Sequence, residues 1–297
     1  LADNKVIEIV EKAFSESEKM APEDLQFSYK GILLLATLTS PETLEALKSF
    51  EARSDDVILI GYPKTGECCL LDKESIHSAA IQKCVPSFNT AVIPEEMVIH
   101  SYVTYWELSV LPSHQIPIKS CVFFCQILVL VRNTKDTAVS YYHFSNNLPM
   151  LPSFTSWDEF FTAFLNGRLG CGSYFDHLVE WNKYIDNEKI MVISYEELKQ
   201  MGCLTVGMKK IAAFFEFSLS EEDFAKIVKK TSFQAMKENS KETHSKIGDM
   251  LFWRGVVGNW RDCFAKAQNE EMDRKFHDCL RATKLAARMK YDVYCKT

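Results

Sequence analysis

Three short runs that are apolar at nearly every position constrain this 297-residue chain most: Val57-Ile58-Leu59-Ile60-Gly61, Ile127-Leu128-Val129-Leu130-Val131 and Ile190-Met191-Val192-Ile193. A strand with one wet face alternates apolar and polar residues. A run with no alternation suits a strand covered on both faces, as in a parallel sheet. Helical patterns separate the runs. They are expected at about 3–20, bounded by Pro22, and from Ser40-Pro41-Glu42 to about Phe50, where Ser, Pro and a carboxylate make a helix start. Others are expected after Glu67, through Asp136 to His143, at 157–164, 174–184, 206–215 and 221–229, and as one C-terminal helix at 274–289. Phe27 to Ile32 reads as extended chain with a turn. Strands alternating with helices predict an α/β fold, a central parallel sheet flanked by helices. No repeat, low-complexity stretch or linker divides it, so residues 1–297 are expected to form a single domain.

The net charge of -6 argues against non-specific nucleic-acid binding, which needs a basic surface, yet leaves room for a local anion pocket. Leu1 to Glu8 has neither a basic start nor an apolar stretch, and Cys121 to Val131, broken by Gln126, is too short to span a bilayer. The ten cysteines are scattered without zinc spacing. Reduced thiols, a cytoplasmic location, no membrane association and no metal are therefore expected. The acidic pairs Glu196-Glu197 and Glu221-Glu222 read as solvated helix faces, and no carboxylate pair has a catalytic pattern.

The first apolar run leads into Tyr62-Pro63-Lys64-Thr65-Gly66 and then a helical pattern. Strand, Gly-containing loop with a Lys, then helix is a recipe for holding phosphate. Backbone N–H groups converge at the helix start, and the dipole there favours an anion. Because the Lys precedes the Gly, the loop is not the GxxxxGK[ST] of nucleoside triphosphatases.

Further elements follow in order: Val131-Arg132-Asn133-Thr134-Lys135-Asp136-Thr137-Ala138-Val139-Ser140, Ser156 to Phe161, Gly172 to His177, Tyr195-Glu196-Glu197-Leu198, Thr231-Ser232-Phe233-Gln234-Ala235-Met236-Lys237 and Arg254-Gly255-Val256-Val257-Gly258-Asn259-Trp260. Together with the loop they resemble the cytosolic sulfotransferases, most nearly the 6B branch, over most of residues 25–295. The resemblance implies a phosphate-loop fold like that of P-loop nucleoside triphosphate hydrolases. It implies an enzyme that moves a sulfuryl group from 3'-phosphoadenosine 5'-phosphosulfate to a hydroxyl or amine of a small acceptor. By the motif match Lys64 would act at the 5'-phosphate and bridging oxygen. Thr65 and Gly66 would supply amides, Arg132 and Ser140 would hold the 3'-phosphate, Tyr195, Thr231 and Phe233 would line the adenosine, and Arg254 and Gly255 would close over the 3'-phosphate. Two other readings stay open: a related protein that binds the nucleotide without turnover, and a small-molecule kinase on a similar loop.

The chain departs from the family pattern over residues 67–126. Glu67 replaces a hydroxyl in the phosphate loop, and like charge beside phosphate weakens binding. Cys69 stands where the family has a stacking Trp. The family's base is a His; here either His100 or Tyr105 occupies its place, depending on where the gap falls, or neither serves. Trp253 stands at the first basic residue of the family's RKG element. The family's dimer element is degraded, with Arg261, Ala265, Lys266 and Glu270 at its positions, so a homodimer of that kind is left open. Codons for Cys121 to Gln126 can spell a pyrimidine tract ending in CAG, as an intron end does. Part of 67–126 is accordingly expected to be mis-spliced or mis-predicted sequence rejoined at Ile127. Transcript reads should break within this stretch; uninterrupted exon coverage, with tryptic peptides spanning it, would refute the idea.

Overall fold

The three apolar runs become three parallel strands. The structure, a computed structural model, describes residues 11–46, 57–66, 125–199, 203–244, 250 and 252–296. Residues 11–17 are helical. β1 (Gln26–Tyr29) and β2 (Ile32–Leu35) then pair as an antiparallel hairpin, turning at Lys30 and Gly31. Both turn residues have positive φ, 49° and 85°, the conformation a tight hairpin turn demands. α1 (Pro41–Ala46) starts as expected, with the Thr43 N–H donating to Ser40 Oγ at 3.3 Å. Next come β3 (Val57–Gly61), β4 (Gln126–Val131), α2 (Thr134–Asn147), α3 (Trp157–Leu165), α4 (Tyr174–Asn182) and β5 (Ile190–Ser194). The sheet order is β3-β4-β5, all parallel, with Gly61 opposite Leu130 and Val131 opposite Ser194.

β4 explains the lack of alternation. Its odd-numbered residues Ile127, Val129 and Val131 enter one core with Tyr62, Phe160, Phe164 and Tyr174. Leu128 and Leu130 enter a second core on the opposite face with Ile193, Ile211 and Phe215. Successive strand side chains point to opposite faces, so both sets must be apolar.

After the sheet come α5 (Tyr195–Lys199), α6 (Cys203–Phe214), α7 (Glu221–Lys230), α8 (Phe233–His244) and a short 3-10 turn (Asn259–Asp262). α9 (Lys266–Leu280), α10 (Lys284–Met289) and α11 (Tyr291–Tyr294) follow. The expected single helix at 274–289 is thus two. Thr283 ends one and starts the next: its hydroxyl donates to the Leu280 carbonyl at 2.7 Å and accepts from the Ala286 N–H at 3.1 Å. The helix expected after Glu67 lies outside the described residues. Among those residues the cysteines 125, 171, 263, 279 and 295 are free thiols. No described helix is long and apolar enough to cross a membrane, and no described group of His, Cys, Asp and Glu could hold a metal ion.

The reading of Glu196 as part of a solvated face is corrected. Its side chain is wholly buried, because the first turn of α5 folds back against the end of β4. Glu196 Oε1 accepts from the Asn133 backbone N–H at 3.0 Å and from Asn133 Nδ2 at 2.8 Å. Burial pushes its carboxyl above the usual carboxylate range. Glu197 closes the start of the same helix by accepting from the Ser194 N–H at 3.0 Å. Glu221 and Glu222 are exposed as expected.

Lys135 ties α2 to the C-terminal helices. Its ammonium is buried and donates to Asn269 Oδ1 and the Cys295 carbonyl, each at 2.5 Å, and pairs with Asp273. The Trp260 ring lies 4.5 Å away. Lys135→Met would keep most of the volume and strand these acceptors. Breaking a buried pair of this kind costs about 3 kcal/mol, expected as a lowered urea midpoint with an unchanged m-value; a loss within experimental error would show that the clasp carries no stability.

Candidate functional site

Parallel sheets of this kind leave a crevice at the carboxyl ends of their strands, where loops diverge. Here all three strand ends open on one pocket. Lys64 and Gly66 reach it from the loop after β3, and Arg132, Asp136 and Ser140 from the end of β4 and from α2. Tyr195 enters from the end of β5, Phe233 and Met236 from α8, and Phe252 to Val256 with Asn259 from the loop before α9.

The loop after β3 is pinned at both ends. Tyr62 is buried and its hydroxyl donates to the Gly172 carbonyl at 2.9 Å. The Thr65 N–H and hydroxyl both turn back to the Tyr62 carbonyl, at 3.1 and 2.7 Å. Lys64 has φ of 74° and Gly66 of 113°. A non-glycine residue in the left-handed region is strained, and such strain collects at functional loops. The Lys64 ammonium stands 4.5 Å from the centre of the Phe144 ring.

Arg132 joins two sides of the pocket. Nη1 donates to the Lys64 carbonyl at 3.0 Å and Nη2 to the Val256 carbonyl at 3.3 Å. The guanidinium carbon lies 4.2 Å over the Tyr195 ring. Its backbone is held by the Tyr174 hydroxyl, which accepts from the Arg132 N–H at 3.0 Å and donates to its carbonyl at 2.7 Å.

Beneath Arg132, Asn133 caps α2 by accepting from the Asp136 N–H at 2.7 Å. Asp136, nearly wholly buried, accepts from Asn133 Nδ2 at 2.8 Å, from the Gly258 N–H at 2.7 Å and from the Trp260 N–H at 3.0 Å. Those last two bonds fix the loop that carries Trp253, Arg254 and Gly255. Asp136 and Asn259 were not among the residues predicted for the site. An Asx pattern at a strand end, Asn133 three residues before Asp136, is the signal that marks the first of them.

Two glycines let aromatic rings approach the backbone. A Cβ on Gly66 would lie 2.7 Å from Tyr195 Cδ2, and one on Gly255 would lie 2.2 Å from Phe233 Cδ2. Arg254 is bonded to Asn259 Oδ1 at 2.5 Å and to Asp262 at 2.7 Å, a pair whose partners are both more than half exposed. Exposed pairs of this type are worth about 0–1 kcal/mol, so an incoming anion can take the guanidinium over. Trp253 stacks on His143, ring centres 3.8 Å apart at 17°.

The structure therefore brings eight of the sequence-predicted residues to one pocket: Lys64, Gly66, Arg132, Ser140, Tyr195, Phe233, Arg254 and Gly255. The side chains of Thr65 and Thr231 do not line it. Both hydroxyls are engaged by backbone, Thr231 donating to the Ile227 carbonyl at 2.8 Å at the end of α7. His100, Tyr105, Glu67 and Cys69 lie outside the described residues. Three cations face one carboxylate here, and the oxygens of that carboxylate, Asp136, are taken by N–H donors. Arg132 Nε is buried with no hydrogen-bond partner among the described residues. Such a donor set with glycine-backed aromatic walls suits an anionic aromatic ligand, as a phosphorylated nucleoside is.

Residues 54–288 match the sulfotransferase domain family. Sulfotransferase 6B1 of Mus musculus is 40% identical, covering 98% of this chain and 98% of its own length. Sulfotransferase 6B1 of Homo sapiens is 38% identical over 99% of this chain and 98% of its own. The crystal structure of mouse sulfotransferase SULT7A1 complexed with PAP is similar with a TM-score of 0.73 at 30% identity, covering 92% of this chain and all of that one. Retinol dehydratase in a complex with retinol and PAP shares the fold, with a TM-score of 0.63 at 18% identity and coverage of 91% and 95%. On a match that spans most of its length and carries the pocket just described, the chain belongs to the sulfotransferase family.

Proposed function

We propose that the pocket holds the nucleotide of 3'-phosphoadenosine 5'-phosphosulfate and that the chain transfers its sulfuryl group to a hydroxyl or amine of a small acceptor. The convergence of Lys64, Arg132 and Arg254 at the strand ends carries this reading. Arg132 and Ser140, with Arg254 and the Gly255 backbone, would take the 3'-phosphate. Tyr195 and Phe233 would flank the adenosine, and Lys64 with the amides of Thr65 and Gly66 would take the 5' end. Thr231, one residue before α8, would act through its backbone position, since its hydroxyl is engaged by Ile227.

The donor supplies an activated sulfuryl group. In the transfer a bond forms from sulfur to the acceptor oxygen or nitrogen while the bond to the bridging phosphate oxygen breaks. Negative charge grows on that leaving oxygen, where a preplaced cation is most effective. Lys64 fits the role, since its strained backbone sets the start of the side chain before ligand arrives. The acceptor's proton must pass to a base, for which His100 and Tyr105 remain the proposed positions. A neutral imidazole is the better base near pH 7, because a tyrosine hydroxyl ordinarily ionises near pH 10.

A second reading, a relative that binds the nucleotide without turnover, draws on Glu67, whose carboxylate follows directly on Gly66. One assay separates the two. The purified chain is incubated with labelled donor and a panel of phenols, alcohols and amines, with binding of adenosine 3',5'-bisphosphate and ATP measured in parallel.

Transfer is expected, and Lys64→Ala should lower it by about two to three orders of magnitude, the usual loss on removing one stabilising group at a developing charge. Binding of the bisphosphate without transfer above that variant would select the second reading, and preference for ATP would select a kinase. Arg132→Lys keeps the charge but loses the bridge between the Lys64 and Val256 carbonyls. Its bisphosphate Kd should rise by about tenfold to a hundredfold, as hydrogen bonds to a charged group are worth about 1.5–3 kcal/mol. An unchanged Kd by titration calorimetry would remove Arg132 from the site.

A further inference from the structure

We propose, on the reading that this pocket holds a 3'-phosphate, that His143 is a further anion-binding residue, which gains a proton as the nucleotide enters and stands in for the basic side chain whose position Trp253 occupies.

The placement follows from helix geometry. Asp136, Ser140 and His143 are spaced i, i+4 and i+7 on α2, so they share one face of the helix. The first two line the pocket. His143 continues that stripe and meets the indole of Trp253, itself a lining residue, face to face at 3.8 Å. The family pattern puts a cation where Trp253 stands. In this chain the position is neutral, but the ring it offers is stacked on a side chain that can acquire charge near neutral pH.

The surroundings leave His143 poised. Partial burial, and then the positive charge of Arg254 across the loop, hold its imidazole below the ordinary value. The indole face acts the other way, since its quadrupole attracts a cation. From its own helix the neighbouring side chain is Tyr142, with ring centres 5.3 Å apart. From the loop the facing charge is Arg254, which is itself paired with Asp262. A phosphate that takes Arg254 over from Asp262 both offsets the repulsion on His143 and adds negative charge beside it. The imidazole is thus neutral at pH 7 in the free protein and has a higher pKa in the complex. By linkage, affinity must then rise as pH falls through the bound-state value, and level off below the free-state value.

The probe is adenosine 3',5'-bisphosphate, with its Kd and proton uptake measured by calorimetry in buffers of differing ionisation enthalpy from pH 5.5 to 8.5. The ligand's own phosphate protonates in this range, so wild type is compared with His143→Gln, in which that contribution is the same. Wild type should take up more protons than the variant at pH 7, and its affinity relative to the variant should rise by about fivefold from pH 8 to pH 6, towards the roughly tenfold limit set by a one-unit pKa increase. Adenosine 5'-monophosphate, which lacks the 3'-phosphate, should show no such difference. Identical pH profiles for the two proteins would overturn the role of His143 and leave the nucleotide site standing. The same difference with the monophosphate would overturn its assignment to the 3'-phosphate. Absence of bisphosphate binding by wild type at any pH would overturn the functional reading itself, and this inference with it. If the variant fails to fold, the His143 ring is titrated by nitrogen NMR in wild type, where an equal or lower pKa in the complex overturns the proposal.

Discussion

Everything at the pocket depends on a buried polar corner at the end of β4. Asn133 is wholly buried, and its amide group bridges two carboxyl groups, Asp136 and Glu196. Through Asp136 the corner holds the backbone of Gly258 and Trp260; through Glu196 it holds the first turn of α5. A buried donor or acceptor left without a partner costs about 1–3 kcal/mol, and all but Glu196 Oε2 of the side-chain oxygens in this corner have partners among the described residues. The corner therefore specifies one arrangement of three chain segments that are far apart in sequence. Arg132, Tyr195 and the loop of Trp253 to Val256 are each within a few residues of a member of it. Much of the pocket's frame is held by this corner, and Arg132 adds a bridge between the Lys64 and Val256 carbonyls.

The sheet was legible because its physics is local. A strand covered on both faces is apolar at nearly every position, and Ile127 to Val131, too short for an ordinary helix and rich in β-branched residues, fits that pattern. The C-terminal helices were less so. Residues 274–289 keep a helical pattern across Thr283, and only the hydroxyl's competing bonds to Leu280 and Ala286 reveal the break. Glu196 was misread for a related reason. An acidic pair at the head of a helix normally faces water, and Glu197 does remain at the helix start. What buries Glu196 is a partner 63 residues away in sequence, Asn133, which no local pattern announces.

The site was legible through its motifs rather than through charge or periodicity. Eight residues quoted for the family pattern do converge, since the motif spacing encodes which strand end each one reaches. Asp136 and Asn259 went unnoticed as lining residues, because their work is to satisfy or pair other groups; an Asx pattern marks Asp136, whereas the role of Asn259 appears only when the loop is folded over the helix. Thr65 and Thr231 show the reverse. A hydroxyl in a phosphate motif suggests a donor to ligand, yet each of these closes a turn of its own backbone.

The arrangement also separates positions bound by exacting geometry from positions that are not. Its frame, from Tyr62 through Asn133 and Asp136 to Gly255, is built from groups whose bonds are internal and geometrically exacting. A change there would strand a partner or drive a Cβ into an aromatic ring. At the rim the constraints are weaker. Arg254 has an exposed partner that it can surrender, and Trp253 is more than one-third exposed and meets a half-buried His143. Substitutions at such positions break fewer internal bonds and chiefly alter what an entering ligand meets. On the proposed reading, that asymmetry would let Trp253 stand at the place of a basic residue without disturbing the cradle, and its effect would fall on how an anion is held.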